Sequence, residues 1–201
     1  MRVQAKRIIV AAGVAIVMVM GVGCETITTE PLTVAHGGED MESQMEFWHA
    51  LPEQAVTSND DAMHALLLVF DETDPHGGYE SRRDALVARG WLGGNFDEPG
   101  NVAVSRGTLA RMLVSALEIE GGLTMQLLGP SPRYALRELQ YSGIFPASAE
   151  YQTFTGDQFL SMVGRIEDYR MQVAAAAGEE VQLADSPGAP APSRDVHMAR
   201  R

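Results

Sequence analysis

The chain has 201 residues, 45% of them hydrophobic, which is enough to build one domain core. Its 27 acidic and 15 basic residues give a formal net charge of -12. That charge argues against nucleic-acid binding and against electrostatic adhesion to anionic lipids, because both need clustered cations. The single cysteine excludes a disulfide within the chain.

The amino terminus predicts export and a lipid anchor. Three basic residues precede an apolar run over residues 8–22, shorter than the roughly 20 residues that span a bilayer. This layout is typical of a signal peptide over residues 1–23. Cys24 follows directly and resembles the lipidated cysteine of a bacterial lipobox, although Gly21 stands where that motif carries leucine. A plain signal peptide cleaved nearby, or an uncleaved anchor, are the alternatives.

Residues 24–38 predict a flexible tether to the membrane. They are polar, lack periodicity and contain Pro31 and the pair Gly37-Gly38. Loss of the leader removes three cations and no acid, so the net charge changes from -12 to -15.

A repeated helical pattern follows. Ser58, Ser105 and Thr155 each open an amphipathic stretch, and a hydroxyl there is typical of a helix N-cap. Asp61 and Gln158, three residues after the first and third openers, predict capping boxes. Apolar residues at offsets of four, seven, eight and eleven trace one helix face. They are Ala62, Ala65, Leu66 and Val69, then Leu109, Met112, Leu113 and Ala116, then Phe159, Met162, Val163 and Ile166.

A shorter amphipathic stretch precedes each capped one, so the predicted unit is helix, loop, helix. Met41, Met45 and Trp48 mark one face of the first short helix. Gly90 and Gly143 follow the second and third short helices and fit helix C-caps.

At residues 90–99 (GWLGGNFDEP) and 104–113 (VSRGTLARML) the chain resembles the S-layer homology family, whose unit combines a glycine turn, an aromatic and proline loop and a signature helix. The first unit has Asn59, and the third Gly156, where the signature carries arginine. The resemblance covers residues 39–170 and implies one small all-α domain of three degenerate helix-loop-helix pseudo-repeats. A generic helical bundle with coincidental spacing is the alternative.

In that family, the signature arginine and nearby loop residues form a groove between repeats that binds anionic cell-wall carbohydrate. Arg106 occupies the matching position, so the resemblance implies polymer binding by Arg106, Ser105 and Trp91. The alternatives are an ordinary surface position for Arg106 and a core position for Trp91, between two helices.

Acidic and histidine side chains concentrate between Asp60 and His76, around His64. Their spacing matches neither a zinc motif nor an EF-hand. We therefore expect a solvated acidic loop, with a turn at residues 71–78; a loosely held divalent cation or a cryptic metal-dependent enzyme are the alternatives. The sequence contains no nucleophile elbow or phosphate loop. We expect no enzyme, no cofactor and no metal site.

After the domain, residues 174–177 extend the last helix, and the rest of segment 171–201 predicts a disordered tail rich in proline and alanine. Together these features predict a non-catalytic cell-envelope lipoprotein that faces the periplasm or the exterior. Its expected partner is peptidoglycan or an associated anionic wall polymer, with the membrane contacted through the lipid. A protein-protein adaptor that has lost glycan binding is the alternative function.

We expect the Cys24→Ser variant to remain an unacylated precursor, because lipid is attached through the cysteine thiol. Mass spectrometry and detergent partitioning of the membrane fraction measure this. Recovery of a normally processed membrane form from the variant would reject the lipid anchor.

Overall fold

Helices make up most of residues 27–184, the part of the chain that this computed structural model describes. No strand occurs in that part, so the predicted all-α class is confirmed. Cys24, the leader and the tail after Ala184 lie outside it. The elements are α1 (Thr33–His36), α2 (Met41–Ala50), a 3-10 turn (Leu51–Glu53), α3 (Asn59–Asp71), α4 (Tyr79–Ala88), α5 (Arg106–Ala116), α6 (Leu123–Leu128), α7 (Pro132–Tyr141) and α8 (Gly156–Ala184).

The three predicted hydroxyl caps are confirmed. Each hydroxyl accepts a hydrogen bond from the backbone N–H three residues later, which satisfies one of the free amides of the first helical turn. The bonds run from Asp61 to Ser58 at 3.0 Å, from Thr108 to Ser105 at 3.0 Å, and from Gln158 to Thr155 at 3.2 Å.

The capping boxes do not close, because the side chains at the third helical position bind other elements. An Oδ1 of Asp61 accepts from the backbone N–H of Thr33 at 3.2 Å. The Oε1 of Gln158 accepts from Arg106 at 3.0 Å. Both side chains therefore join separate segments of the chain instead of bonding back to their own caps.

Loop carbonyls accept hydrogen bonds from the first two backbone amides of α3 and of α5. In both helices the acceptors are the third and the fifth residues before the cap of the next capped helix, so the two junctions share one register. These bonds are Asn59 to Val102 (2.8 Å), Asp60 to Gly100 (3.0 Å), Arg106 to Gln152 (2.7 Å) and Gly107 to Glu150 (2.8 Å). Thr57 links all three junctions: its backbone N–H donates to the carbonyl of Phe154, and its carbonyl accepts from the N–H of Val104, both at 2.9 Å.

The two predicted glycine C-caps are confirmed. Gly90 and Gly143 have φ of +74° and +80°, a left-handed conformation that glycine adopts without strain. Each lets the chain turn back so that a later amide reaches the helix it has just left. Trp91 donates to Leu86 after α4, and Phe145 donates to Leu139 after α7, both at 3.0 Å.

The predicted face of the capped helices builds the core. The residue four positions after the cap is fully buried in all three helices; these residues are Ala62, Leu109 and Phe159. The predicted face of α2 is wrong at Met41 and Met45, which are 77% and 52% exposed, whereas Trp48 packs against the core as predicted. Phe47, which was not predicted, is fully buried. Phe47 is buried because its ring packs edge-on against the buried ring of His64, with centroids 4.6 Å apart.

The predicted tether is wrong for its described part, residues 27–38. Thr28 forms a β-bridge with Val102, and Leu32 packs against the core. The sequence shows no periodicity there because the segment binds the domain through backbone hydrogen bonds and single side chains.

α8 begins tightly against the 3-10 turn. The N–H of Gly156 donates to the carbonyl of Gln54 at 2.9 Å. A Cβ on Gly156 would lie 1.6 Å from the carbonyl oxygen of Leu51, far inside contact distance. The backbone packing therefore explains why this position holds glycine, because any larger residue would overlap the backbone of Leu51.

We expect Gly156→Ala to lower the free energy of unfolding by about 1–3 kcal/mol, because the new methyl group overlaps a backbone oxygen. Gly164→Ala is the matched control, since it lies in the same helix and its added methyl group would have no neighbouring atom within 4 Å. It should raise stability by about 0.5–1 kcal/mol through helix propensity. Urea unfolding measures both, and similar effects at the two positions would contradict the packing of α8 on the turn.

Candidate functional site

Arg106 lies at the junction between α5 and the start of α8. It is the first residue of α5 and only 9% exposed. Its Nε donates to the carbonyl of Thr153 at 3.2 Å, and one terminal nitrogen donates to the Oε1 of Gln158 at 3.0 Å. The guanidinium carbon stands 4.7 Å from the centre of the Phe154 ring, a cation-π contact.

The charge of Arg106 has no acidic partner. Among the described residues, no carboxylate lies within salt-bridge distance of its guanidinium. Burial lowers the pKa of Arg106 from its usual value, since desolvation disfavours the charged form. An arginine so placed still carries its proton at neutral pH, so an anion that reaches it gains a charge-assisted hydrogen bond.

A cleft of about 230 Å³ opens beside this guanidinium. Its charged side chains are Arg106, Arg165 and Asp157, which leaves a net charge of one cation. The other lining residues are Ile144, Pro146, Phe154, Gln158, Ser161 and Met162. This mixture of one surplus cation, polar side chains and apolar walls suits a small anionic group better than a cation.

Ser105 and Trp91 do not join Arg106 in the cleft. The hydroxyl of Ser105 caps α5 and lies 2.8 Å from the hydroxyl of Thr108. Trp91 packs at 5.2 Å edge-on against Phe70 of α3 and is half-buried against the core. Both positions are explained by folding, as the alternative core interpretation of Trp91 expected.

The two positions that match Arg106 hold side chains committed to structure. Asn59 is fully buried, and its amide donates to the carbonyl of Pro99 at 3.0 Å. Gly156 packs on Leu51, as described above. Only one of the three capped helices therefore presents a cation at its first residue.

A second polar cluster, missed in the sequence, lies around Arg82, which is 2% exposed. Its Nε donates to Asp74, and one terminal nitrogen donates to Asp60 at 2.8 Å. The Nδ1 of His64 contacts Asp74 at 2.5 Å, and the hydroxyl of Thr33 donates to Asp60 at 2.6 Å. We call these five residues the Arg82 cluster.

The expectation of a solvated acidic loop is therefore wrong at its centre. His64 and Asp61 are fully buried, Asp74 is 1% exposed and Asp60 is 7% exposed. The signal was present: Arg82 stands four residues before the core residue Leu86, at a position where the third unit carries a buried alanine. A cation at a core position needs buried acids, and the acids of this segment are its partners.

The Arg82 cluster sets the protonation of its own members. Burial is the largest influence on Asp74 and disfavours its charge, but hydrogen bonds from His64 and Arg82 outweigh it and hold the pKa of Asp74 below its usual value. Burial raises the pKa of Asp61, because desolvation disfavours its charged form. His64 Nε2 is buried without a hydrogen-bond partner in the described residues. Because Asp74 and His64 have almost no exposed surface, a substrate does not reach them in this conformation.

No family model, curated protein or solved structure matches the chain. Within residues 27–184, no helix is long and apolar enough to cross a membrane. In the same part of the chain, no group of three or more histidine, cysteine or acidic side chains is arranged to hold a metal ion.

We expect Asp74→Asn to lower the free energy of unfolding at pH 7 by about 3–5 kcal/mol, because it leaves the buried charge of Arg82 short of a partner. The folded pKa of Asp74 lies below 3.8, so its stabilising contribution is complete above that pH and is lost as the pH falls through the folded pKa. The difference from the parent should therefore shrink below about pH 4.

Urea unfolding at pH 7, 5 and 3 measures this difference. Asp84→Asn is the control, since the side chain of Asp84 is 70% exposed and its loss should change stability by less than about 0.5 kcal/mol. An Asp74→Asn effect that stays constant from pH 7 to pH 3 would contradict a pKa of Asp74 that is lowered by folding.

Proposed function

We propose that this chain is a non-catalytic cell-envelope lipoprotein with three degenerate S-layer-homology-like units. It is anchored to a membrane through lipid on Cys24 and binds peptidoglycan or an associated anionic wall polymer at the Arg106 cleft. The observation that carries the polymer-binding proposal is the largely buried guanidinium of Arg106, which faces a cleft and lacks an acidic partner among the described residues.

The hydrogen bonds at the helix starts support the three-unit organisation. The amides of α3 reach the loop before α5, those of α5 reach the loop before α8, and Gly156 of α8 reaches Gln54 before α3. These hydrogen bonds connect α3 to α5, α5 to α8 and α8 back to α3, and the first two connections share one register. A helical bundle with coincidental spacing gives no reason for this pattern. Three related units packed around the central residue Thr57 give that reason.

The chemistry of the cleft supports an anionic ligand. Arginine presents donors in a planar fork that fits carboxylate and phosphate groups, and exposed Arg165 lies beside Arg106 on the same cleft. The overall charge of -12 opposes long-range attraction to an anionic polymer. Recognition must therefore come from this local pair of cations at close range, where salt screens it only partly.

An adaptor function is the second candidate, and the losses at the other two helix starts favour it. Asn59 is bonded to Pro99, and Gly156 leaves no room for a side chain. If one cleft is too little for polymer binding, the same scaffold serves to hold an envelope protein. Co-sedimentation with cell walls separates the two candidates.

We expect the full chain to co-sediment with purified cell-wall sacculi that retain their attached polymers, and Arg106→Gln to weaken this association. Loss of one charge-assisted contact is worth about 1.5–3 kcal/mol, which corresponds to at least a tenfold weaker binding. Arg165→Ala should weaken binding as well, and it tests the cleft without touching the helix junction because Arg165 is exposed.

Arg133→Ala is the matched control, since it removes an exposed arginine that lies outside this cleft. It should bind like the parent at every salt concentration. Equal weakening by all three variants would indicate a general charge effect. No sedimentation of the parent chain would reject the polymer-binding proposal and leave the adaptor as the working function.

A further inference from the structure

The first described residues form a strap, residues 27–36, that is fixed to the domain by its backbone. The carbonyl of Ile27 accepts from Ala103 at 2.8 Å, and the N–H of Thr29 donates to Asn101 at 2.9 Å. Backbone pairing with the domain thus includes the first residue of the strap. The strap joins the loop that leads into α5.

Thr33 attaches the far end of the strap to the start of α3. Its N–H donates to Asp61 at 3.2 Å, and its hydroxyl donates to Asp60 at 2.6 Å. The next turn of chain lies close to the Arg82 cluster, since a Cβ on Gly37 would stand 3.1 Å from the guanidinium of Arg82. The strap therefore covers a buried ion network, and releasing it would expose those charges to water.

Ile27 is only three residues from Cys24. Three residues of extended chain span at most about 11 Å, whatever conformation they take. We infer that the domain is held directly against the membrane by its strap end, with lipid headgroups as the partner of this face. The inference rests on the proposed lipid at Cys24, and it replaces the long flexible tether that the sequence predicted.

The exposed side chains of the strap fit a lipid surface. Ile27 is 50% exposed and Val34 is 72% exposed, although both are large and apolar. The boundary between headgroups and acyl chains would remove the exposed parts of both side chains from water. Glu30 is the one acidic residue in the strap.

Two exposed positions report this orientation. Asn101 lies beside the strap at the start of α3, because the residues on both sides of it accept from the first amides of that helix. Gln172 lies far along α8, about 24 Å from Gly156, and Gly156 itself donates to Gln54 just before α3. Both side chains are exposed, so a probe at either position reports distance without disturbing the core.

The test uses the full chain, purified from bacterial membranes, with a fluorescent amino acid in place of Asn101 or of Gln172. Each protein is reconstituted into phosphatidylcholine vesicles that contain a lipid with a nitroxide on its headgroup. We expect quenching at position 101 to exceed that at position 172 at least twofold. Equal quenching, with the protein bound to the vesicles, would overturn the inference and leave the lipid anchor intact.

The strap itself is tested with Thr29→Pro, which removes the N–H that donates to Asn101, and with Thr29→Ala as a control that keeps it. The proline variant should bring the two quenching values together, and the alanine variant should preserve their difference. Circular dichroism checks that both variants keep their helices. An undiminished difference in Thr29→Pro would overturn the inference. Failure of the parent chain to bind vesicles would reject the anchor, and the orientation with it.

Discussion

The first amides of an α-helix have no acceptor within the helix, and this protein satisfies them with carbonyls from neighbouring loops. Hydroxyl caps take one amide of α3, α5 and α8, and the loops before the next helix take others. Because these bonds are short and directional, they fix where each loop lies. The strap over α3 and the turn under Gly156 are bonded to the same junction.

The same junction creates the cleft at Arg106. As the first residue of α5, Arg106 has its N–H bonded to Gln152, and its side chain is carried across to Gln158 of α8. The helix junction thus fixes the guanidinium in one orientation. For the proposed polymer binding, preorganisation of this kind would reduce the entropy lost on binding.

The Arg82 cluster shows the opposite use of charge. Here the cation is surrounded by acids, and its hydrogen bonds tie α4 to α3 and to the loop that joins them. Thr33 brings the strap onto the same network through Asp60. A buried network of this kind gives little net stability compared with an apolar core, but it specifies one arrangement, because any other leaves charges without partners.

Local chemistry by itself determined the caps at Ser58, Ser105 and Thr155, the glycine turn at Gly90 and the apolar face of the capped helices. These features depend on residues within one or two turns of each other, so the sequence contains their whole cause. Tertiary structure decided which face of α2 is buried, the docking of the strap, the burial of Arg82 and the separation of Trp91 from Arg106. Each of these depends on partners far along the chain, such as Asp60 for Arg82, and the pairing of distant residues follows from how the helices pack.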